Sequence, residues 1–184
     1  MKIDSYADTG SFVAVDLVNA PVLDREALRV ILAVDPPSLT QLRRADEPAF
    51  VALAARLREV FADLRGGAVD SAAARLNALL LQHPAHPHLV KEDGVWRLHH
   101  HPAEVELVPM WTAICAEALA RVLGAGEAHR LGTCAACDRV FFDVTKNASR
   151  RFCSTTCQNR VKAQAYRHRH APERGRASGG RRVG

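Results

Sequence analysis

Residues 134–157 read CAACDRVFFDVTKNASRRFCSTTC and contain two cysteine pairs, spaced C-x2-C-x15-C-x3-C. Cysteines two or three residues apart fold into a tight turn that aims both sulfurs at one tetrahedral metal centre. Because four thiolates leave no position open for a reactive water, the spacing predicts one structural Zn²⁺ per chain. Its predicted ligands are Cys134, Cys137, Cys153 and Cys157.

Around the cysteines, the sequence predicts a β-hairpin followed by a helix. β-forming residues fill 139–144 and return at 150–152, on either side of a turn-like segment at 145–149. Ser154 is a good N-cap for a helix over residues 155–170, whose first turn would hold the last cysteine. A knuckle, a hairpin and a helix that donates the last ligands make a treble-clef-like zinc finger.

The predicted helix has one narrow apolar stripe and a broad basic surface. Cys157, Val161 and Ala165 share the stripe, which we expect to face the metal and the hairpin. The other side chains are mostly basic or amide groups, which suit phosphates and base edges. The residues predicted to bind nucleic acid are Asn159, Arg160, Lys162, Arg167 and Arg169. The alternative is that basic residues near the cysteines only offset the charge of the zinc–thiolate cluster, namely Arg139, Arg151 and Arg160.

Charge is divided along the chain. The net charge is +5, but residues 130–184 contain 13 Lys/Arg against 3 Asp/Glu, which leaves the preceding residues at −5. A basic block beside an acidic body is typical of a module that meets a polyanion. Residues 171–184, APERGRASGGRRVG, have too few apolar side chains to pack, so we predict a disordered basic tail there.

The sequence before the cysteines is mostly helical in pattern. Apolar residues recur at helical spacing over 47–65, 70–83 and 105–123, and a shorter helix is predicted over 27–34. Two short β-forming runs flank Asp93-Gly94, which is a strong signal for a β-hairpin. The chain is 48% hydrophobic and 24% charged, as in globular proteins, so most of it should fold.

These patterns together predict a mainly α protein with two domains. Residues 1–128 would form a helical N-terminal domain with a small β-hairpin, and residues 129–170 would form the treble-clef-like zinc finger. The first domain should have its own helical core, whereas the finger should draw its stability from the metal.

Six histidines form two groups outside the cysteine cluster: His83, His86 and His88, and His99, His100 and His101. Histidine is a common metal ligand, but Pro84 and Pro87 break the spacing of the first group. Consecutive histidines on a strand point to opposite faces. We interpret both groups as surface or ligand-facing polar residues rather than a second metal site. The fifth cysteine, Cys115, lies in a helical pattern, where a buried packing thiol is expected.

The segment RRFCSTTCQNRVKAQAYRHR, residues 150–169, resembles the CGNR zinc finger, whose signature is Cys-Gly-Asn-Arg followed by a basic helix. This chain has Cys157-Gln158-Asn159-Arg160, so glutamine replaces the glycine. FVAVDLVNAP, residues 12–21, is similar to the ABATE domain that usually precedes this finger. The resemblance implies a bacterial transcription regulator, proposed to be stress-induced, with the finger as its DNA-binding module.

We therefore expect a DNA-binding transcription regulator rather than an enzyme, because the sequence has no phosphate-binding glycine loop, nucleophile elbow or open metal site. An RNA-binding protein and a zinc-stabilised protein-interaction module are the alternatives. Double-stranded DNA is the expected partner. A homodimer and a small-molecule effector of the N-terminal domain are further candidates. The N-terminus lacks a secretory signal and no apolar run reaches membrane length, which predicts a cytoplasmic protein.

Overall fold

The structure is a computed structural model that describes residues 5–84, 86, 88–99 and 105–170. Within these residues helices predominate, and strands occur only as two antiparallel pairs. The helices are α1 (Ser5–Asn19), α2 (Arg25–Ile31), α3 (Pro36–Gln41), α4 (Glu47–Arg65), α5 (Val69–Gln82), α6 (Leu107–Gly124) and α7 (Thr155–Arg169). The strands are β1 (His88–Glu92), β2 (Val95–His99), β3 (Leu131–Thr133) and β4 (Val140–Phe142). The predicted fold class is confirmed, and the tail predicted at 171–184 lies outside the described residues.

Four helices, α1, α4, α5 and α6, enclose the hydrophobic core. Each contacts the next in the ring α1–α6–α5–α4, and α4 closes the ring onto α1. Leu57 of α4, Leu76 of α5 and Trp111 of α6 are fully buried inside it. At Gly10 the helices α1 and α6 lie so close that a Cβ would be 2.6 Å from the Ile114 carbonyl oxygen. A glycine is therefore needed at this crossing.

Most of the helices and the first hairpin match their predictions. The helix predicted over 47–65 coincides with α4, and those over 70–83 and 105–123 match α5 and α6 to within two residues. The apolar stripe predicted for α4 is buried along most of its length. Strands β1 and β2 pair through the Asp93-Gly94 turn, where both residues have positive φ, as a type I′ turn requires.

The sequence analysis did not predict α1. Its run of valines has the composition of a strand, but the helix is buried against α4, α6 and β4. Tertiary packing overrides a local preference of this size, which amounts to a few tenths of a kcal/mol per residue.

The region around Pro36 also differs from the prediction. The helix predicted over 27–34 is α2 followed by a 3-10 turn at Leu32–Val34. Pro36 then begins α3 instead of only ending the helix before it. The Asp35 carboxylate accepts a hydrogen bond from the Ser38 N–H at 3.2 Å and caps α3. A proline at the first helical position suits this cap because its missing N–H would have no partner there.

The hairpin of the finger pairs β4 with β3, so that the first cysteine pair lies in the turn between them. Residues 150–152, predicted as the strand that returns after 139–144, form no strand. That prediction is wrong: the finger contains a hairpin, but it is formed by β3 and β4 and does not join the two cysteine pairs. Because Gly132 lowers the strand propensity of 131–133, the sequence did not indicate β3 as the partner of β4. The backbone N–H of Arg150 is bound by the Asp143 carboxylate instead of by a strand.

Strand β4 joins the finger to the helical body. The side-chain amide of Asn19, at the end of α1, donates to the Val140 carbonyl, and its oxygen accepts from the Val140 N–H, both at 2.9 Å. These bonds replace a neighbouring strand on the outer edge of β4. The rings of Phe12 and Phe142 meet edge-on with centroids 5.6 Å apart. Val140 and Phe142 belong to the same buried cluster as the helices, so core packing continues past residue 128.

No apolar run of membrane length was expected from the sequence, but α6 is long and apolar enough to cross a membrane by length and composition, and it is the only described helix that meets both criteria. However, 56% of its residues are buried inside the protein. Its apolar side chains face α1 and α5 in the core ring. The core helix of a globular protein has the same length and composition, so α6 is no indication of a membrane span.

Candidate zinc centre and the exposed helix

The first cysteine pair lies in the turn between β3 and β4. The N–H of Cys134 donates to the Arg139 carbonyl at 2.8 Å and closes the turn, while the N–H of Ala136 lies 3.4 Å from the Cys134 sulfur. A hydrogen bond donated to sulfur favours the thiolate, which is the form that binds metal. Because both strands pack on the helical body, this knuckle is anchored to it.

The start of α7 positions the second cysteine pair. The Ser154 hydroxyl accepts a hydrogen bond from the Cys157 N–H at 3.2 Å, which confirms the predicted N-cap. Cys153 precedes the cap and Cys157 lies in the first turn of the helix. The N–H of Ala135 donates to the Arg151 carbonyl at 2.9 Å. This bond ties the knuckle to the segment that leads into α7.

The four sulfurs lie at the distances that tetrahedral zinc requires. Zn–S bonds of about 2.3 Å place the sulfurs of such a site about 3.8 Å apart. The Cys137 sulfur lies 3.6 Å from that of Cys153 and 3.8 Å from that of Cys157, and the latter two are 3.7 Å apart. With Cys134 included, the sulfurs all lie within 4.8 Å of one another. The donor set and its geometry fit one Zn²⁺.

The local environment changes the acidity of the sulfurs in opposite directions. Burial disfavours the Cys134 thiolate, but hydrogen bonds from the N–H groups of Cys153 and Ala136 and from neighbouring thiols lower its pKa to about 6. Burial, together with the surrounding thiols, raises the pKa of Cys153 to about 12. Since zinc binds thiolates, metal uptake must expel protons from this cluster and weaken as the pH falls.

Arg160 reaches back from α7 to the knuckle. Its guanidinium donates to the Ala136 carbonyl and lies 3.8 Å from the Cys157 sulfur. The sequence analysis predicted that Arg160 binds nucleic acid, with charge compensation at the cysteines as the alternative. These contacts fit the alternative, because a cation at this point offsets negative charge on the thiolates, while binding of nucleic acid by Arg160 stays a prediction.

A buried carboxylate organises the loop between the cysteine pairs. Asp143 is 1% exposed, and its oxygens accept from the N–H groups of Thr145 at 2.8 Å and Arg150 at 2.7 Å. Burial acts to raise the pKa of Asp143, but hydrogen bonds from the Thr145 side chain and from these two N–H groups, together with the Arg130 guanidinium, hold it below its usual value. Arg130 also donates to the carbonyls of Asp143 and Thr145 at 3.0 and 2.8 Å.

The sequence analysis missed both of these residues and also Asn19. An aspartate followed two residues later by threonine is a signal for an Asx-turn, and it could have identified Asp143. Asn19 has no comparable local signal, since its partner Val140 lies 121 positions away.

Beyond the zinc centre, α7 is exposed. Cys157 and Val161 are half-buried, whereas every described side chain from Lys162 to His170 is exposed. Ala165, predicted to lie on the buried stripe, is exposed too, so the stripe ends at Val161. The helix contains no acidic residue. Its exposed side chains include all five that were predicted to bind nucleic acid: Asn159, Arg160, Lys162, Arg167 and Arg169.

Within the described part of the chain, the four cysteines are the only group of three or more His, Cys, Asp or Glu side chains placed to hold a metal. The Nδ1 atom of His88 lies 2.9 Å from the His86 carbonyl oxygen. The side chain of His99 and residues 100 and 101 lie outside the described residues. Cys115 is fully buried, and burial raises the pKa of its thiol above the usual range. The prediction of a buried packing thiol is confirmed.

Comparison with known families agrees with the geometry. Residues 12–126 match the ABATE family, described as "Putative stress-induced transcription regulator", and residues 130–170 match the CGNR zinc finger. A search among curated proteins found no match. The CGNR match and the four converging sulfurs confirm the predicted single zinc site. Both matched families are of regulator or zinc-finger type rather than enzymes. Because the first match covers more than half of the sequence, the chain belongs to the ABATE family and carries a CGNR zinc finger after the ABATE domain.

Proposed function

We propose that this protein is a DNA-binding transcription regulator and that α7 contacts the duplex. The observation that carries the proposal is the surface of α7 beyond Val161, where every described side chain is exposed and none is acidic. An isolated helix of this length is marginally stable in water, so a partner that lies along it would stabilise it. The lysine and arginines of α7 suit the phosphates of a polyanion, and the amide of Asn159 suits base edges.

Four of the predicted nucleic-acid residues remain our candidates for DNA contacts. They are Asn159, Lys162, Arg167 and Arg169, which are exposed and make no described hydrogen bond or ion pair with another side chain. We assign Arg160 to the knuckle because its guanidinium is already bonded there. A charge that is held against the thiolates is less free to reach a phosphate.

The helical body supports the regulatory part of the proposal. Residues 1–128 would sense a signal or form a dimer, and residues 129–170 would bind DNA in the cytoplasm. A dimer would provide the second half-site that one small finger needs for tight binding. Between α4 and the start of α6 lies a cavity of about 660 Å³, lined by Arg56, His83 and Leu107 among others. This volume suits a small-molecule effector.

Salt-dependent binding tests the proposal. We expect the zinc-loaded protein to bind a random DNA duplex with an affinity that falls steeply with salt, because each phosphate contact releases counterions. The double variant Lys162→Ala/Arg169→Ala should flatten the log–log slope by roughly two, at about 0.9 per contact. Fluorescence anisotropy over a salt series measures both quantities. The double variant Arg25→Ala/Arg29→Ala is the matched control, since it removes the same charge from exposed positions on α2.

The outcomes separate the alternatives. Equal slopes for the parent protein and the Lys162/Arg169 variant would refute α7 as the contact. Binding with no salt dependence, or no binding, would favour a protein-interaction module. Tighter binding to single-stranded RNA would favour an RNA-binding protein, although Tyr166 is the only Phe, Tyr or Trp in α7 and a stacking platform needs more.

A further inference from the structure

The exposed surface of α7 is divided into bands. Successive residues of an α-helix are about 100° apart around the axis, which places four side chains within an arc of about 60°. We call this arc the outer strip, and it consists of Asn159, Ala163 and Tyr166 of α7 together with His170, the residue that caps the end of the helix. All four are exposed, and Tyr166 is 59% exposed. The middle of the outer strip points about 170° away from the half-buried side of Cys157 and Val161.

Basic side chains flank the outer strip on both sides. Lys162 and Arg169 lie about 70–90° to one side and about 10 Å apart along the axis. Arg167 lies about 70° to the other side. Arg160 lies near Arg167 on the wheel, but its guanidinium is bonded to the knuckle. The outer strip is therefore a row of side chains without lysine or arginine between two positively charged edges.

The geometry points to α7 lying in the major groove of B-form DNA with the outer strip against the base edges. This inference rests on the proposed function and specifies how the helix reads the duplex. A helix with its side chains is about 10–12 Å across, and the major groove is about 12 Å wide. The flanking cations then face the two phosphate backbones. The small side chain of Ala163, about midway along the length of the outer strip, allows the helix axis to approach the bases.

The chemistry of the outer strip identifies which bases it reads. The amide of Asn159 can donate to N7 and accept from N6 of adenine, which is the bidentate pairing that amides make in the major groove. The ring of Tyr166, whose centroid lies 4.3 Å from that of His170, offers an apolar surface to a thymine methyl group. A-form RNA has a deep, narrow major groove that a helix cannot enter. The occupant is therefore B-form DNA, and the outer strip selects A·T base pairs.

Selection of bound duplexes from a random pool tests the outer strip, with the full zinc-loaded chain. We expect the parent protein to enrich a motif with A·T pairs. Asn159→Ala should lose the preference at one position and weaken binding to the best duplex by roughly 5- to 150-fold, while binding to random duplex stays nearly unchanged. Gln164→Ala is the matched control, because it removes an exposed amide about 130° from the middle of the outer strip. It should change neither quantity.

Each of the following results would overturn one part of the proposal. Retention of the full motif by Asn159→Ala, or an equal loss in Gln164→Ala, overturns the outer strip as the reading surface. Salt-dependent DNA binding by a parent protein that enriches no motif overturns the outer strip alone and leaves the proposed function standing. Failure of the parent protein to bind any duplex overturns both. Equal affinity for an RNA duplex of the selected sequence overturns the major-groove geometry.

Discussion

The two halves of the zinc finger are held in opposite ways. The hairpin half consists of β3, β4 and the first cysteine pair, and its residues Val140, Phe141 and Phe142 are at most 5% exposed. The helix half consists of α7 and the second cysteine pair, and beyond Val161 each of its described side chains is exposed. Burial against the helical body therefore holds the hairpin half, whereas the cap, the cysteines and Arg160 hold the helix half.

This difference changes the role expected for the zinc. Small zinc fingers are usually unfolded without their metal, because the metal replaces a hydrophobic core. In this protein the hairpin half already shares the core of the helical body through Phe142, Val140 and the Asn19 bonds. The binding free energy of zinc is then available to dock α7 onto a preformed surface. The metal acts as a joint between a fixed half and an exposed half.

Removal of zinc should affect the two halves unequally, and this is the largest effect we expect. Without zinc to attach it, a helix of this length is only marginally stable in water. The amides of α7 should therefore lose their protection from hydrogen exchange. The amides of β4 should keep most of theirs. Hydrogen exchange followed by mass spectrometry, with and without a chelator and in the presence of a thiol reductant, measures both segments in one sample. Equal loss of protection in β4 and α7 would show that the finger unfolds as one unit.

Truncation of one aromatic side chain in each half should separate them energetically. Phe142→Ala should lower the free energy of unfolding by about 3–5 kcal/mol, because it opens a cavity in the shared core. Tyr166→Ala removes a ring of similar size from an exposed position and should change it by less than about 0.5 kcal/mol. Urea unfolding of the zinc-loaded proteins gives both values when it is followed by tryptophan fluorescence, which changes as the buried Trp111 becomes exposed. Similar losses in the two variants would contradict the division.

The buried carboxylate gives the hairpin half a pH dependence of its own. Asp143→Asn should destabilise the protein by about 1–3 kcal/mol at neutral pH, because the amide cannot accept both backbone hydrogen bonds. The folded pKa of Asp143 is below its usual value, so its contribution is complete above about pH 4 and is lost as the pH falls through the folded pKa. The difference between parent and variant should therefore shrink below about pH 4. Acid also releases zinc, so parent and variant must be compared under the same metal conditions. If the difference in their free energies of unfolding grew on acidification, this pH dependence could not come from Asp143.

The features that the sequence predicted well depend on residues close together in the chain. The cysteine spacing, the Ser154 cap and the apolar period of α4 each lie within a few turns of backbone, so each can be read locally. The joining of the finger to the body depends instead on contacts between distant segments. Asn19 and Val140 are 121 positions apart, and neither residue type predicts the other. The strand β3 was not predicted because Gly132 has low strand propensity, so its pairing with β4 could be seen only in the structure.

The contacts of Arg160 could not be predicted from the sequence, for a different reason. Its position on the helical wheel places it beside Arg167, and the wheel alone treats the two arginines as equivalent. The structure separates them, because the Arg160 guanidinium bends back to the Ala136 carbonyl while Arg167 remains exposed. Long, flexible side chains reach partners that angular position does not reveal.

The smallest effect we expect concerns these two arginines, and it tests whether Arg160 strengthens the zinc-mediated link between the two halves. Arg160 links the halves, since it bonds the knuckle at Ala136 and lies beside the Cys157 sulfur of α7. Arg160→Ala should weaken zinc binding by about tenfold, the lower end of the range for residues that support metal ligands, because Arg160 is exposed. Arg167→Ala removes the same charge from the same helix and should leave zinc affinity nearly unchanged. Competition against a chromophoric chelator at constant pH measures both.

Arg160→Lys distinguishes charge from geometry at this joint. Lysine keeps the cation but lacks the planar fork that reaches the carbonyl and the sulfur together, so it should restore only part of the lost zinc affinity. Full restoration by lysine would mean that Arg160 acts through its charge alone. Equal losses in Arg160→Ala and Arg167→Ala would mean that the net charge of α7, rather than a bridge between the halves, stabilises the metal. In either case the contacts of the Arg160 guanidinium with the Ala136 carbonyl and the Cys157 sulfur would add nothing to zinc affinity beyond their charge.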